Sequence, residues 1–169
     1  MTEVFLLSLI QGITEFIPVS SSSHLIIFSK YFNFDNQSLL IDVSLHIGSF
    51  LAVITFFYRE ILNFINNKDL FFKIIISSIP VMIFGFFLVE FNIIDNLRNL
   101  KVIGWMTIIF GILLFISDKF KLTNDLNDNF TYKNALAIGL IQILSLIPGV
   151  SRSGITITGA RFLNFKRTD

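Results

Sequence analysis

The fold class this sequence predicts is an all-α, polytopic membrane protein, and three observations predict it. Of 169 residues, 53% are hydrophobic, only 15% are charged, and 21 are phenylalanine; mean hydropathy is +0.74. A globule of this size leaves much of its chain in water and needs far more polar surface, so the bilayer is the better solvent. The apolar residues gather into five stretches, about 4–28, 39–58, 71–89, 102–116 and 134–163. The first and last of these are each interrupted by a proline followed by small hydroxyl residues, which predicts two broken helical segments in an otherwise membrane-spanning bundle.

In chain order, the first stretch breaks at Pro18-Val-Ser-Ser-Ser-Ser. The second and third meet the roughly 20 apolar residues a crossing helix needs, and the fourth is short enough that its ends must extend into its flanks. The fifth breaks at Pro148-Gly-Val-Ser-Arg-Ser-Gly. Polar turn signals lie between them at 33–36, 66–69, 92–99 and 118–134. Sliding the first stretch by 131 residues pairs Leu9-Ile10-Gln11 with Leu140-Ile141-Gln142, and Val19, Ser20 and Ser22 with Val150, Ser151 and Ser153. The chain therefore reads as one membrane domain, 1–169: a first repeat over about 1–117, a polar loop 118–134, and the start of a second repeat over 135–169. Loops 59–73 and 117–134 carry more Lys and Arg than 29–38 and 90–101, which places the first pair in the cytoplasm.

Charge and cysteine content exclude several function classes. A net charge of +1 implies no polyanion-binding patch and no nucleic-acid partner. With no cysteine, thiolate metal sites and cysteine nucleophiles are ruled out. The N-terminus Met-Thr-Glu-Val-Phe lacks the basic region and cleavage site of a secretory signal, so it is expected to stay in the mature protein.

Ionisable groups in membrane spans are expensive and face partners or water. Gln11 and Glu15 lie four apart on one helix face, and Glu15 either serves chemistry or neutralises a cation such as Arg152. Ser20, Ser21, Ser22 and Ser23 precede His24; a helix restarting there offers free N–H groups and hydroxyls to an anion. Beside that helix start, His24 is a candidate base or nucleophile. In the second break, Gly149 permits close backbone approach. Ser151 and Ser153 donate hydrogen bonds, and Arg152 presents a planar fork suited to phosphate oxygens. Arg161, Lys166 and Arg167 fit cations snorkelling to headgroups. Asp42 and His46, also four apart, read as helix-pairing or cavity residues. Acid/base groups in one half and a cationic clamp in the other describe phosphate ester or anhydride chemistry at a membrane.

Together these motifs resemble the bacterial undecaprenyl-diphosphate phosphatase family, also known for bacitracin resistance. The pattern Glu or Gln, three residues, Glu is met by Gln11 and Glu15. The serine-rich run ending in histidine is met by Pro18 to His24, and Pro-Gly-x-Ser-Arg-Ser-Gly-x-x-x-Thr by Pro148 to Thr158. Asp42 to Gly48 looks like the family's second helix. The resemblance implies a multi-pass inner-membrane hydrolase, with two inverted repeats that each contribute a re-entrant segment. It would convert undecaprenyl diphosphate to the monophosphate for peptidoglycan synthesis. It further implies a divalent cation, Mg2+ or Ca2+, held with help from Glu15 and Gln11. Glu15, Ser21, His24 and Arg152 would be catalytic, and Ser20, Ser22, Gly149, Ser151 and Ser153 would grip phosphate. Which group attacks phosphorus stays open between Ser21 and His24.

Family proteins continue with several further spans where this chain reaches Asn164 to Asp169, so the second repeat is incomplete. The chain is then expected to be a fragment, inactive alone, or a short member that works as a homo-oligomer. A transporter or flippase for lipid-linked phosphate is the alternative from another class, since broken helices and repeats also suit alternating access. The type-2 acid phosphatase pattern needs a histidine downstream of its Ser-Arg element, and His24 and His46 both lie upstream.

Overall fold

The computed structural model describes residues 2–34, 38–93, 97–120 and 129–166. These form α1 (Thr2–Thr14), α2 (Ser21–Phe32), α3 (Leu39–Phe56), α4 (Tyr58–Asn66), α5 (Lys68–Glu90), α6 (Leu100–Ser117), α7 (Tyr132–Gln142) and α8 (Arg152–Phe162). A 3-10 turn, Ile143–Leu146, extends α7. The described residues contain no extended strand, and the all-α membrane architecture expected from composition is the one observed. Residues 35–36 of the turn 33–36 and residues 121–128 of the polar loop 118–134 lie outside the described residues.

Side-chain caps set most of the helix starts. Ser38, Asn67, Asn99 and Thr131 accept from backbone N–H groups of the helices they precede, which satisfies donors that a helix start leaves orphaned. Asn33, with φ 52°, closes α2 in the left-handed conformation. α5 and α6 are long and apolar enough to cross a membrane, and their large side chains point outward: Phe72, Met82, Phe86, Trp105, Ile108 and Phe115 are all exposed. In water that surface would be untenable; in lipid it is the expected outer face.

The sequence reading differs from the structure in two places. Residues 59–66, expected within the loop 59–73, belong to α4, which bends 79° from α3 at Phe57. Arg59, Glu60, Asn63 and Asn66 look like loop polarity, yet they recur at helical spacing around Ile61, Leu62 and Ile65. Arg161 is not a snorkelling cation. It is 8% exposed, donating Nε to the Ser117 carbonyl and a terminal nitrogen to the Asp118 carbonyl, with the Asp118 carboxylate 3.1 Å away. A cation at the carbonyl end of α6 complements both the orphan acceptors and the helix dipole. Arg167 lies outside the described residues.

Two close approaches position the site. α7 lies along α5, the most extensive helix pairing among the described residues; a Cβ on Gly139 would fall 2.2 Å from the Ser77 carbonyl oxygen. Gly149 has φ 104°, and a Cβ there would fall 2.6 Å from the Ile103 carbonyl oxygen of α6. Gly149 and Val150 are both buried, so α6 covers the second break. The two breaks also approach each other: a Cβ on Gly154 would lie 3.4 Å from the Pro18 carbonyl oxygen.

Candidate active site

Both broken segments restart as helices on residues that the 131-residue offset pairs, Ser21 in α2 and Arg152 in α8. Each restart follows a serine in extended conformation, Ser20 (φ −77°, ψ 102°) and Ser151 (φ −70°, ψ 128°). Pro18 and Pro148 drive the breaks, because each removes a backbone donor and disfavours helix in the residue before it.

The first break brings an acid next to a hydroxyl. Gln11 and Glu15 share one face of the α1 turn, and Gln11 Nε2 donates to Glu15 Oε2 at 2.7 Å. The same carboxylate oxygen accepts from Ser21 Oγ, also at 2.7 Å. His46 of α3 places Nε2 3.7 Å from it. Its Nδ1 lies 2.8 Å from the Asp42 carbonyl; a carbonyl can only accept, so Nδ1 carries a proton and Nε2 is the atom turned to Glu15. Gln11 is buried and its Oε1 finds no partner among the described residues. Its amide therefore holds Glu15 in place from behind.

The second break supplies the cation. Ser151 Oγ caps α8 by accepting from Gly154 N at 3.2 Å and lies 3.1 Å from Ser153 Oγ. Arg152 is exposed, and its guanidinium forms no ion pair among the described residues. Among the described residues Glu15 therefore does not pair with Arg152.

A cavity of about 540 Å3 joins the two breaks, within the ~300–1,000 Å3 typical of ligand sites. Glu15, Ser20, Ser21 and Ser22 line one wall, and Ser151, Arg152 and Ser153 another. Two expected residues are placed otherwise. His24 is not among the lining residues; its Nδ1 bonds the Ser20 carbonyl at 2.8 Å, bracing the turn. Gly149 lies behind the wall, against α6, and its carbonyl accepts from Thr107 Oγ1 at 3.3 Å.

The fold adds two residues that sequence reasoning left outside the candidate site. His46, read from its four-residue spacing with Asp42 as a helix-pairing or cavity residue, lines the cavity; its proximity to Glu15 was not readable. Arg98 also lines it, donating to Asp42 Oδ2 at 2.8 Å; in the chain it looks like an ordinary loop cation. For a metal, the described residues contain no cluster of three His, Asp or Glu side chains. The oxygen donors at hand are one carboxylate and several hydroxyls. That set suits a hard cation that takes most of its ligands from phosphate and water.

Comparison with known proteins adds an independent finding. Residues 4–169 match the family described as bacitracin resistance protein BacA. The chain is 50% identical over 168 residues to the undecaprenyl-diphosphatase of Pelagibacter ubique (strain HTCC1062), covering 99% of this chain and 66% of that protein. It is 44% identical over 177 residues to the undecaprenyl-diphosphatase of Jannaschia sp. (strain CCS1), again covering 66% of the relative and 97% of this chain. The corresponding protein of Hahella chejuensis (strain KCTC 2396) is 43% identical over 178 residues, with 98% and 66% covered. The chain thus spans about two thirds of the length of the curated relatives it matches.

Proposed function

The chain belongs to the bacitracin resistance protein family, and from that premise we propose that it hydrolyses undecaprenyl diphosphate to undecaprenyl phosphate and inorganic phosphate. The work would take place in the bacterial inner membrane and return the lipid carrier to peptidoglycan synthesis. The observation that carries this reading is the 2.7 Å bond from Ser21 Oγ to Glu15 Oε2, on the wall of a cavity that Arg152 also lines.

A hydroxyl within hydrogen-bond reach of a carboxylate held by a third group is an activated-nucleophile arrangement. Ser21 Oγ attacks the terminal phosphorus as Glu15 takes its proton, and the bond from phosphorus to the bridging oxygen breaks. The departing prenyl phosphate collects that proton, restoring the carboxylate. Glu15 then draws a proton from a water that attacks the phosphoserine; the bond from phosphorus to Ser21 Oγ breaks, Glu15 returns the proton to that oxygen, and inorganic phosphate leaves with both side chains restored. Arg152, Ser151 and Ser153 neutralise charge building on the phosphoryl oxygens. Ser21 is preferred to His24 as nucleophile because His24 braces the Ser20 carbonyl away from the cavity lining. The cation implied by the resemblance, Mg2+ or Ca2+, would be held by Glu15 and the substrate phosphates, and it would supply further charge neutralisation. Gln11, with Oε1 buried, supports Glu15 from behind.

The test is phosphate release from undecaprenyl diphosphate by purified protein in detergent. Ser21→Ala should lower kcat by at least ~100-fold, the usual scale for removing an activated nucleophile or its base. Wild-type-like turnover by Ser21→Ala would sink the nucleophile assignment. Tight binding without any phosphate release by the unaltered chain would favour transport of the lipid phosphate instead.

A further inference from the structure

Arg98 is the charged lining residue that the steps above leave unused, and two cavities meet at it. The site cavity adjoins a second of about 410 Å3, and the two share Ser22, His46 and Arg98. The rest of the second cavity is largely apolar: Val43, Ile47 and Phe50, spaced four and three apart on one face of α3. Arg98 therefore stands where a polar chamber turns into an apolar groove.

Its geometry suits a ligand contact. One terminal nitrogen donates to Asp42 Oδ2 at 2.8 Å, whereas a guanidinium carries five N–H donors. Asp42 is buried, and its Oδ1 has no partner among the described residues. A carboxylate fixed this way orients the arginine, reducing the ordering cost of binding, and leaves the outer edge of the fork open to an anion. Arg98 is 26% exposed and faces the cavity it lines.

We propose, resting on the prenyl-diphosphate reading, that Arg98 is a second phosphate anchor and sets the direction of the substrate. It holds the phosphate esterified to the prenyl chain, while the first isoprene units lie along Val43, Ile47 and Phe50. The terminal phosphate then sits at Ser21 and Arg152. An amphiphile with two phosphates between solvent and tail needs a cation at each phosphate, and the inner one must stand at the polar-apolar junction. Asp42 and Arg98 supply that junction.

The experiment is calorimetric binding of farnesyl phosphate and farnesyl diphosphate to the purified chain in detergent, read for Arg98→Gln and Arg152→Gln separately. Farnesyl phosphate, placed by its tail, presents its single phosphate to Arg98. Arg98→Gln should weaken both ligands by about tenfold or more, the scale of one lost charge-assisted contact. Arg152→Gln should weaken the diphosphate while leaving farnesyl phosphate within about threefold. Unchanged farnesyl phosphate affinity in Arg98→Gln, equal losses in both variants, or no binding by the unaltered chain would overturn the proposal. If Arg98→Gln loses its helical circular-dichroism signal, Arg98→Lys serves. It keeps the charge opposite Asp42 but not the planar fork, and it must lose farnesyl phosphate affinity several-fold. The hydrolase reading fails separately: a chain that binds with these ratios but releases no phosphate overturns that reading and supports this one.

Discussion

Oxygen Oε2 of Glu15 gathers the residues that matter most: it accepts from Gln11 and Ser21 and faces the imidazole of His46. Gln11 and Glu15 were legible because a four-residue spacing puts two side chains on one helix face. The serine run was legible as a group but not as individuals. The structure separates them: Ser21 bonds Glu15, Ser20 pairs with Ser23, and Ser22 opens onto both cavities. The histidines exchange importance for a reason no linear pattern carries. His24 turns back to its own helix start, whereas His46 crosses from α3. Arg152 was legible from its place between two serines after Pro148-Gly149, and it carries the sharpest expectation at this scale. Arg152→Ala should lower kcat by ~100-fold or more while membrane insertion is retained, because the side chain is exposed and forms no ion pair among the described residues. Arg152→Lys should recover little, since a point charge replaces a two-pronged fork. Kinetics on membrane-extracted protein check both; near-normal turnover in Arg152→Ala would remove it from the site.

The helices were readable where hydropathy runs long and where breakers are strong. α5 and α6 follow from apolar length, and the two interrupted segments from Pro18 and Pro148. α5 nevertheless runs unbroken through Pro80, a reminder that one proline inside a long apolar helix is tolerated in membranes when neighbours satisfy the freed backbone. α4 escaped because nine residues are too few for period to prevail over composition. Which small residues bear packing was also hidden: the sequence has nine glycines, and only the fold tells them apart. Gly139→Ala should separate α7 from α5, because its Cβ would fall 2.2 Å from backbone oxygen. Gly149→Ala would add left-handed strain, of order 1–2 kcal/mol, to a clash with Ile103. Gly111→Ala, with nothing within 4 Å, should be close to neutral. Thermal unfolding of the three proteins in one detergent makes the comparison: the first two should melt several degrees lower than Gly111→Ala. Equal midpoints would mean that these contacts relax away at little cost.

For the whole molecule, the two breaks are unequally protected. The second is covered by α6 at Gly149 and Val150, whereas the first leaves Phe16 and Ile17 exposed at 58% and 46% beside the Glu15 carboxylate. Irregular backbone at membrane depth is stable only against protein or a wet cavity, so the first break is the one that asks for a further wall. The relatives are longer than this chain, which matches 66% of their length. The sequence carries no sign of which break would lack cover; in the fold α6 returns over the second, so the need falls on the first. Extending 1–169 with a relative's C-terminal helices should therefore raise specific activity and slow proteolysis near Phe16 and Ile17. The unextended chain should approach that state only when a second copy supplies the wall, so its activity per molecule should climb with protein concentration. Light scattering, limited proteolysis and phosphate release on the two proteins in the same detergent decide the matter. A monomeric 1–169 with the same specific activity and the same protection at the first break would show that lipid or detergent can cover it, and the argument from uncovered backbone would fail.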